Sequence, residues 1–234
     1  MTAARSFKFH QTGGPEVLTM TEETLAAPAT GQVQVRQEAI GVNYIDIYHR
    51  TGSYPLQLPS GVGVEGAGVV EVVGEGVTNV AVGDRVVYVG GPPGAYADMR
   101  HVPAARCVKL PDGIDSVTAA SLIFKGLTVE YLIRRCHEVK EGDTVLWHAA
   151  AGGVGSIACQ WLSHIGATVI GTVRSAEKAG IAQQNGCTHT IDVTSEDLVA
   201  RVKEITGGEG VSAVYDSIGG DTFAKSLDCL RPRG

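Results

Sequence analysis

The segment 147–155 carries the clearest chemical signal in the chain and reads Trp-His-Ala-Ala-Ala-Gly-Gly-Val-Gly. An apolar run from Thr144 to Trp147 precedes it, and a helical pattern follows from Ser156. A glycine-rich turn between a strand and a helix lets backbone N–H groups and the helix dipole hold a pyrophosphate. The pattern therefore predicts a dinucleotide site, although close packing of the helix on the sheet would also explain the glycines. The predicted contact residues are Ala151, Gly152, Gly153 and Val154.

The end of the next predicted strand, 168–173, indicates which dinucleotide is bound. An NAD site usually carries Asp or Glu there, about 20 residues after the glycines, to bind the ribose 2′-hydroxyl. Here the strand is followed by Arg174 and Ser175, and Lys178 lies one helical turn further. A guanidinium suits a 2′-phosphate, so we expect NADPH rather than NADH. A solvated surface pair of Arg174 and Lys178 is the alternative.

Composition limits the remaining classes of function. The 234 residues carry a net charge of −6 without a basic stripe, which argues against nucleic-acid and membrane partners. The five cysteines contain no C-x-x-C pair, and no histidine stands at ligand spacing from a cysteine or another histidine, so we expect no metal site. The N-terminal residues show no secretory signal, and scattered cysteines fit a reducing compartment; we expect a cytoplasmic protein.

The hydrophobic period changes near residues 115–125. The first half alternates in short strands, at 33–36, 69–73, 83–89, 95–99 and 106–110, which predicts a small barrel or sandwich. Asp115 is expected to cap a short helix, and a second helix is expected from Leu127.

Strands then alternate with helices, which predicts a parallel sheet. The predicted strands are 144–148, 168–173, 188–192 and 212–216, and the predicted helices are 153–165, 176–185, 195–205 and 221–230. Four strands fall short of the six of a doubly wound domain, so we expect a sheet that is truncated here.

Several sequence blocks together resemble the quinone oxidoreductase (zeta-crystallin) branch of the medium-chain dehydrogenase/reductase superfamily. The similar blocks are 13–18, 41–46, 59–68, 125–128, 142–163 and 214–217. The resemblance implies an α/β protein with a GroES-like β-barrel domain at 1–122 and an incomplete Rossmann domain, doubly wound around a parallel sheet, at 123–234. It also implies a homodimer in the full-length protein and hydride transfer from NADPH to a quinone.

Two positions depart from the zinc-dependent members of this superfamily. Those members carry Cys and His where this chain has Asn43 and Val64. Neither side chain supplies a thiolate or an imidazole, so the resemblance implies a zinc-independent enzyme. Glu65 is then expected to be a structural acid, paired with a buried cation or a backbone N–H group.

The resemblance also assigns residues to the reaction. It places Asn43, Tyr44 and Asp46 at the nicotinamide, and Tyr48 and Tyr54 along the acceptor pocket, where their rings would stack on a quinone. Core packing is the alternative for the two tyrosines of the pocket, and a turn-forming amide is the alternative for Asn43. The further cofactor contacts that it implies are Lys125, Thr128, Tyr131, Ser217 and Gly219, with a surface lysine as the alternative for Lys125.

Two other functions stay open on the sequence alone. An enone or alkenal reductase would add the same hydride to a polarised C=C bond. A non-catalytic, crystallin-like protein would bind a nucleotide or RNA, although the acidic balance of the chain counts against RNA.

Overall fold

The computed structural model describes residues 2–234, which divide into two compact units. The first unit ends at Phe124, and the second runs from Lys125 to Gly234.

Antiparallel strands dominate the first unit. One sheet has three strands in the order β2-β1-β4, and the other has five in the order β7-β3-β5-β6-β8. The strands are β1 (Thr2–Phe9), β2 (Thr19–Leu25), β3 (Gln32–Ile40), β4 (Ser60–Gly61), β5 (Glu65–Val73), β6 (Arg85–Val89), β7 (Met99–Pro103) and β8 (Cys107–Lys109).

The longest pairing in the five-stranded sheet joins β3 to β5, with Val35 opposite Val70. Both side chains are fully buried, together with Val33 and Val86, because β-branched residues pack well on a pleated surface. Helix α1 (Tyr44–Thr51) follows β3 after the three residues 41–43, and its C-cap is Gly52, which adopts a left-handed conformation with φ of 83°.

Helix α2 (Ser116–Glu130) begins where Asp115 accepts a hydrogen bond from the backbone N–H of Thr118 at 2.7 Å, which confirms the predicted cap. It continues into a π-helical segment, Tyr131–Cys136. The expectation of two separate helices was wrong, because Gly126 leaves the helix intact and meets no neighbouring atom. By length and apolar composition Ser116–Cys136 would suffice to cross a membrane, a test that core helices also pass.

The second unit is a four-stranded parallel sheet with helices between the strands. Its order is β11-β10-β9-β12, so that β9 lies between β10 and β12. The strands are β9 (Thr144–Trp147), β10 (Thr168–Val173), β11 (His189–Asp192) and β12 (Ala213–Tyr215); the helices are α3 (Gly153–Ile165), α4 (Ala176–Gln184), α5 (Leu198–Ile205) and α6 (Phe223–Asp228). The predicted α/β fold with a parallel sheet is confirmed.

This strand order makes the carboxyl end of β9 a switch point. The chain leaves β9 toward β10 on one side and later returns to β12 on the other. Ligands of open α/β sheets bind in the crevice that such a reversal creates. The turn 147–155 therefore begins at the position where a ligand is expected.

Two further predicted elements differ from the structure. The strand expected at 95–99 is instead a loop, held by single hydrogen bonds such as Tyr96 N–H to Val62 O at 2.9 Å, and β7 starts only at Met99. The helix expected from residue 195 starts at Leu198, because the Asp197 carboxylate accepts a hydrogen bond from the Ala200 N–H at 2.8 Å and caps the helix there.

Candidate functional site

The turn after β9 is shaped to present backbone N–H groups. The N-cap of α3 is Gly152, which has no side chain with which to cap the helix. The first N–H groups of an α-helix lack intrahelical partners, so an anion satisfies them well. Ala149 stands in the left-handed region with φ of 53° and accepts a hydrogen bond from the Gly152 N–H at 2.8 Å.

Gly155 is required by the close approach of the turn to the helix. A Cβ atom at this position would lie 2.5 Å from the carbonyl oxygen of Ala149 and 2.6 Å from that of Ala150. Both neighbours are backbone atoms, which cannot rotate away. Any side chain at residue 155 would push the turn off α3, so the glycine that the sequence pattern marked has a steric cause.

A cavity of about 520 Å³ opens beside this turn, within the second unit. The turn, the end of β10 and the segments after β11 and β12 all line it. The lining residues are Ala149, Ala151, Gly152, Thr172, Val173, Arg174, Lys178, Val193, Thr194, Glu196, Leu198, Ile218, Asp221, Thr222 and Lys225. Backbone N–H groups and three cationic side chains thus face one space, an arrangement that fits the phosphates of a dinucleotide.

The structure brings several predicted cofactor residues to this cavity. Ala151, Gly152, Arg174 and Lys178 line it directly. Gly153 adjoins the Lys125 side chain, whose Cε atom would lie 2.9 Å from a Cβ atom at Gly153.

The other predicted cofactor residues lie beside the cavity or on α2. Ser175 caps α4, where its hydroxyl accepts a hydrogen bond from the Lys178 N–H at 3.3 Å. Val154 is half-buried in the first turn of α3, Thr128 lies on α2, and Tyr131 opens the π-helical segment.

Ser217 and Gly219 belong to a loop that follows β12 and folds around Asp216. The Asp216 carboxylate accepts hydrogen bonds from the N–H groups of Ile218 at 2.8 Å and Gly219 at 3.0 Å. Burial raises the pKa of Asp216, but the hydrogen bond from Gly219 and those from neighbouring residues outweigh it and hold the pKa well below its usual range. Asp216 is therefore a carboxylate at neutral pH.

In the first unit, Asn43 caps α1 and contacts Glu65. Its backbone N–H donates to the Asp46 carboxylate at 2.9 Å, which forms half of a capping box. Its side-chain amide donates to Glu65 at 2.6 Å, and the fully buried Glu65 also accepts the Phe124 N–H at 2.7 Å. Glu65 is thus the structural acid that the sequence predicted, with a backbone N–H among its partners.

Three tyrosines form an exposed aromatic surface on and beside α1. The ring centroids of Tyr44 and Tyr48 are 6.0 Å apart, and those of Tyr48 and Tyr54 are 5.2 Å apart. Their exposed fractions are 74%, 38% and 52% in chain order, so core packing does not explain them. A flat aromatic ligand would find rings to stack against here.

Sequence reasoning missed part of the cavity lining, chiefly Thr172, Asp221 and Lys225. The latter two lie in short irregular or helical segments that only the tertiary structure places beside the turn. Across residues 2–234 no group of three or more His, Cys, Asp or Glu side chains is arranged to hold a metal ion.

Comparison with known proteins gives consistent matches for both units. Residues 29–112 match a family described as the alcohol dehydrogenase GroES-like domain, and residues 153–234 match one described as zinc-binding dehydrogenase. The chain is 50% identical to a quinone oxidoreductase of Pseudomonas aeruginosa over 232 residues, covering 99% of this chain and 71% of the relative.

Two further similarities bear on cofactor and substrate. The crystal structure of an Escherichia coli quinone oxidoreductase complexed with NADPH has a TM-score of 0.96 and 50% sequence identity, covering 98% of this chain and 71% of that one. A 2-haloacrylate reductase of a Burkholderia species is 51% identical over 231 residues, covering 96% of this chain and 69% of the relative.

Proposed function

The chain belongs to the quinone oxidoreductase family of the medium-chain dehydrogenase/reductases, and we propose that it transfers a hydride from NADPH to a quinone without zinc. The cavity carries the proposal, because Arg174 and Lys178 line the same space as the turn residues Ala151 and Gly152. A ribose 2′-phosphate and a pyrophosphate would each meet its complementary charge there.

The second unit holds the cofactor in this proposal. Residues 151–154 bind the pyrophosphate, with the backbone N–H groups of the first turn of α3 as donors, and Arg174, Ser175 and Lys178 bind the 2′-phosphate. Lys125, beside Gly153, donates to the nicotinamide ribose. The further contacts of the cofactor are Thr128, Tyr131, Ser217 and Gly219.

The first unit supplies the groups that meet the reacting rings. NADPH provides the hydride when it is bound. Asn43 and Tyr44 orient the carboxamide end, and Asp46 fixes Asn43 through the capping box. Tyr48 and Tyr54, whose ring centroids lie 5.2 Å apart, stack on the quinone and orient it. Asn43 and Val64 stand where zinc ligands would be needed, and neither supplies a thiolate or an imidazole.

The protein is proposed to be a cytoplasmic homodimer. All five cysteines are free thiols and four of them are buried, which suits a reducing compartment. Light scattering of the protein should give the mass of two chains, and the mass of one chain would contradict the dimer.

The cofactor assignment is tested by the ratio of NADPH to NADH affinity. Arg174→Ala removes a charge-assisted hydrogen bond to the 2′-phosphate, so the NADPH Kd should rise by about tenfold or more while the NADH Kd stays unchanged. Lys203→Ala removes one positive charge from the exposed face of α5, away from the cavity, and is the matched control. Equal affinity of the wild-type protein for NADPH and NADH would contradict the assignment.

The substrate is tested by steady-state rates with 1,4-benzoquinone and 2-chloroacrylate at saturating NADPH. The quinone should have the higher kcat/KM, and Tyr48→Ala should lower this value more for the quinone than for the alkene, because only the quinone presents a full ring to stack. A preference for 2-chloroacrylate in the wild-type protein would overturn the proposal.

A further inference from the structure

A chain of buried polar side chains lies behind the cavity, starting at His148. This residue directly follows β9 and is 1% exposed. Its Nδ1 atom lies 3.2 Å from the hydroxyl of Thr172 on β10, and its Nε2 atom lies 3.0 Å from the hydroxyl of Ser226 on α6. The Ser226 hydroxyl lies 2.8 Å from the Asp216 carboxylate. Three elements that are distant in sequence therefore meet at one imidazole.

The donor and the acceptor of each hydrogen bond in this series of side chains can be assigned by starting from Asp216. Asp216 is ionised and only accepts, so Ser226 must donate its O–H to it. The Ser226 oxygen then accepts from His148, which requires a proton on Nε2. In the neutral ring, which carries one proton only, Nδ1 is then bare and accepts the O–H of Thr172. These donors and acceptors fix one tautomer of the ring.

The far end of the chain reaches the phosphate turn. The Thr172 oxygen accepts the backbone N–H of Ala149 at 3.1 Å, and the Ala150 N–H donates to the Thr172 carbonyl at 3.0 Å. Ala149 is one of two non-glycine residues with positive φ in the described chain, so its conformation needs such support.

The opposite end reaches the loop after β12. There the Asp216 carboxylate accepts the Thr222 hydroxyl at 2.7 Å, and Thr222 lines the cavity. The hydrogen-bonded series of buried side chains thus connects the phosphate turn to the loop after β12, and both of these line the cavity.

We propose that His148 is a positioning residue: held as the neutral Nε2–H tautomer, it ties the phosphate turn at Ala149 to the loop at Asp216 and thereby sets the shape in which the cavity binds NADPH. The inference rests on the proposed function of the cavity. Burial lowers the pKa of His148 although the nearby Asp216 raises it, which agrees with a neutral ring.

The tautomer is measured directly on the wild-type protein by ¹⁵N NMR after selective labelling of the histidines. Single substitutions of the six other histidines assign the His148 signals by elimination, without altering the residue itself. The expected spectrum at neutral pH shows a protonated Nε2 and a bare Nδ1. A protonated Nδ1, in either a neutral or a charged ring, would overturn the proposal.

The coupling to the cofactor is tested on Thr172. Thr172→Val keeps the shape but removes both the donor to His148 and the acceptor for Ala149, so the NADPH Kd should rise about tenfold while kcat at saturating NADPH falls less. Thr172→Ser restores the hydroxyl and should restore the affinity. Thr190→Val, the same change on neighbouring β11, is the matched control and should leave the Kd unchanged.

The two proposals fail in different ways. A folded Thr172→Val protein with wild-type NADPH affinity would overturn the positioning role alone and leave the proposed function standing. A wild-type protein that does not bind NADPH would overturn the proposed function and the positioning role with it.

Discussion

Replacing Gly155 with alanine should displace the phosphate turn, because the added methyl group would overlap with backbone atoms of two residues in the turn. It would lie 2.5 Å from Ala149 O, 2.6 Å from Ala150 O and 2.8 Å from Ala150 C. Carbon atoms in proteins approach each other best at about 3.5–4.0 Å, so each of these contacts is strongly repulsive. The turn must move by several tenths of an ångström or α3 must shift.

The size of the effect follows from two opposing contributions. Forcing an extra methyl group into a packed site costs about 1–3 kcal/mol. Alanine in place of glycine within a helix returns about 1 kcal/mol. Gly180→Ala is the matched control, because Gly180 lies on α4 with no neighbouring atom within 4 Å of its added Cβ atom, so only the favourable contribution applies. The two variants should differ in unfolding free energy by about 2 kcal/mol.

Urea unfolding followed by tryptophan fluorescence measures this difference in the relevant unit, since both tryptophans, Trp147 and Trp161, lie in the second unit. NADPH titration of the folded proteins measures the functional effect. We expect the NADPH Kd of Gly155→Ala to rise at least about tenfold, because backbone N–H groups that are displaced from the pyrophosphate lose charge-assisted hydrogen bonds. Gly180→Ala should bind as the wild type does. A Gly155→Ala protein with the stability of Gly180→Ala and unchanged affinity would refute the steric reasoning.

Two further predictions concern a carboxylate and a helix cap. The pKa of Asp216 is lowered in the folded state, so its contribution to stability is present above the unfolded value of about 3.9 and is lost as the pH falls below it. The stability advantage of the wild type over Asp216→Asn, measured by urea unfolding, should therefore shrink between about pH 7 and about pH 3; an advantage independent of pH would contradict this. Ser175→Ala removes the cap of α4 and should cost about 1 kcal/mol, as Asp197→Ala should for α5. Only Ser175→Ala should also weaken NADPH binding in titrations, and equal NADPH affinity of the two variants would show that Ser175 acts as a cap alone.

The sequence predicted those parts of the proposed cofactor site that depend on the local order of strand and turn. The turn 147–155 and Arg174 each follow a parallel strand directly, and parallel strands place their carboxyl ends at one edge of the sheet. Predicting two neighbouring parallel strands was therefore enough to predict that the turn and Arg174 lie close together. The sequence did not predict Lys225 as a cavity residue. Its position depends on the pairing of β12 with β9 and on the placement of α6, which no local pattern encodes.

The Asn43–Glu65 contact shows the same limit in the first unit. The sequence predicted that Glu65 pairs with a buried cation or a backbone N–H group, and its partners include the Phe124 N–H and the Asn43 amide, 59 and 22 positions away along the chain. A buried carboxylate must find donors, so the existence of a partner was predictable, whereas its identity was not. Similarly, the exposure of Tyr48 on α1 and of Tyr54 just beyond the helix depends on tertiary packing, which the eight residues of α1 do not encode.

The net charge of −6 disfavours the binding of an anionic dinucleotide at long range, so the affinity for it has to come from groups inside the cavity. Arg174, Lys178 and Lys225 supply three positive charges at the cavity, against the two acids Glu196 and Asp221. Exposed charges separated by more than about 8 Å are largely screened at physiological salt, whereas partly buried groups that share one cavity are screened much less. The acidic remainder of the surface therefore leaves short-range binding intact. The cations that line this cavity therefore favour the proposed dinucleotide, whereas nucleic-acid binding needs a continuous basic surface.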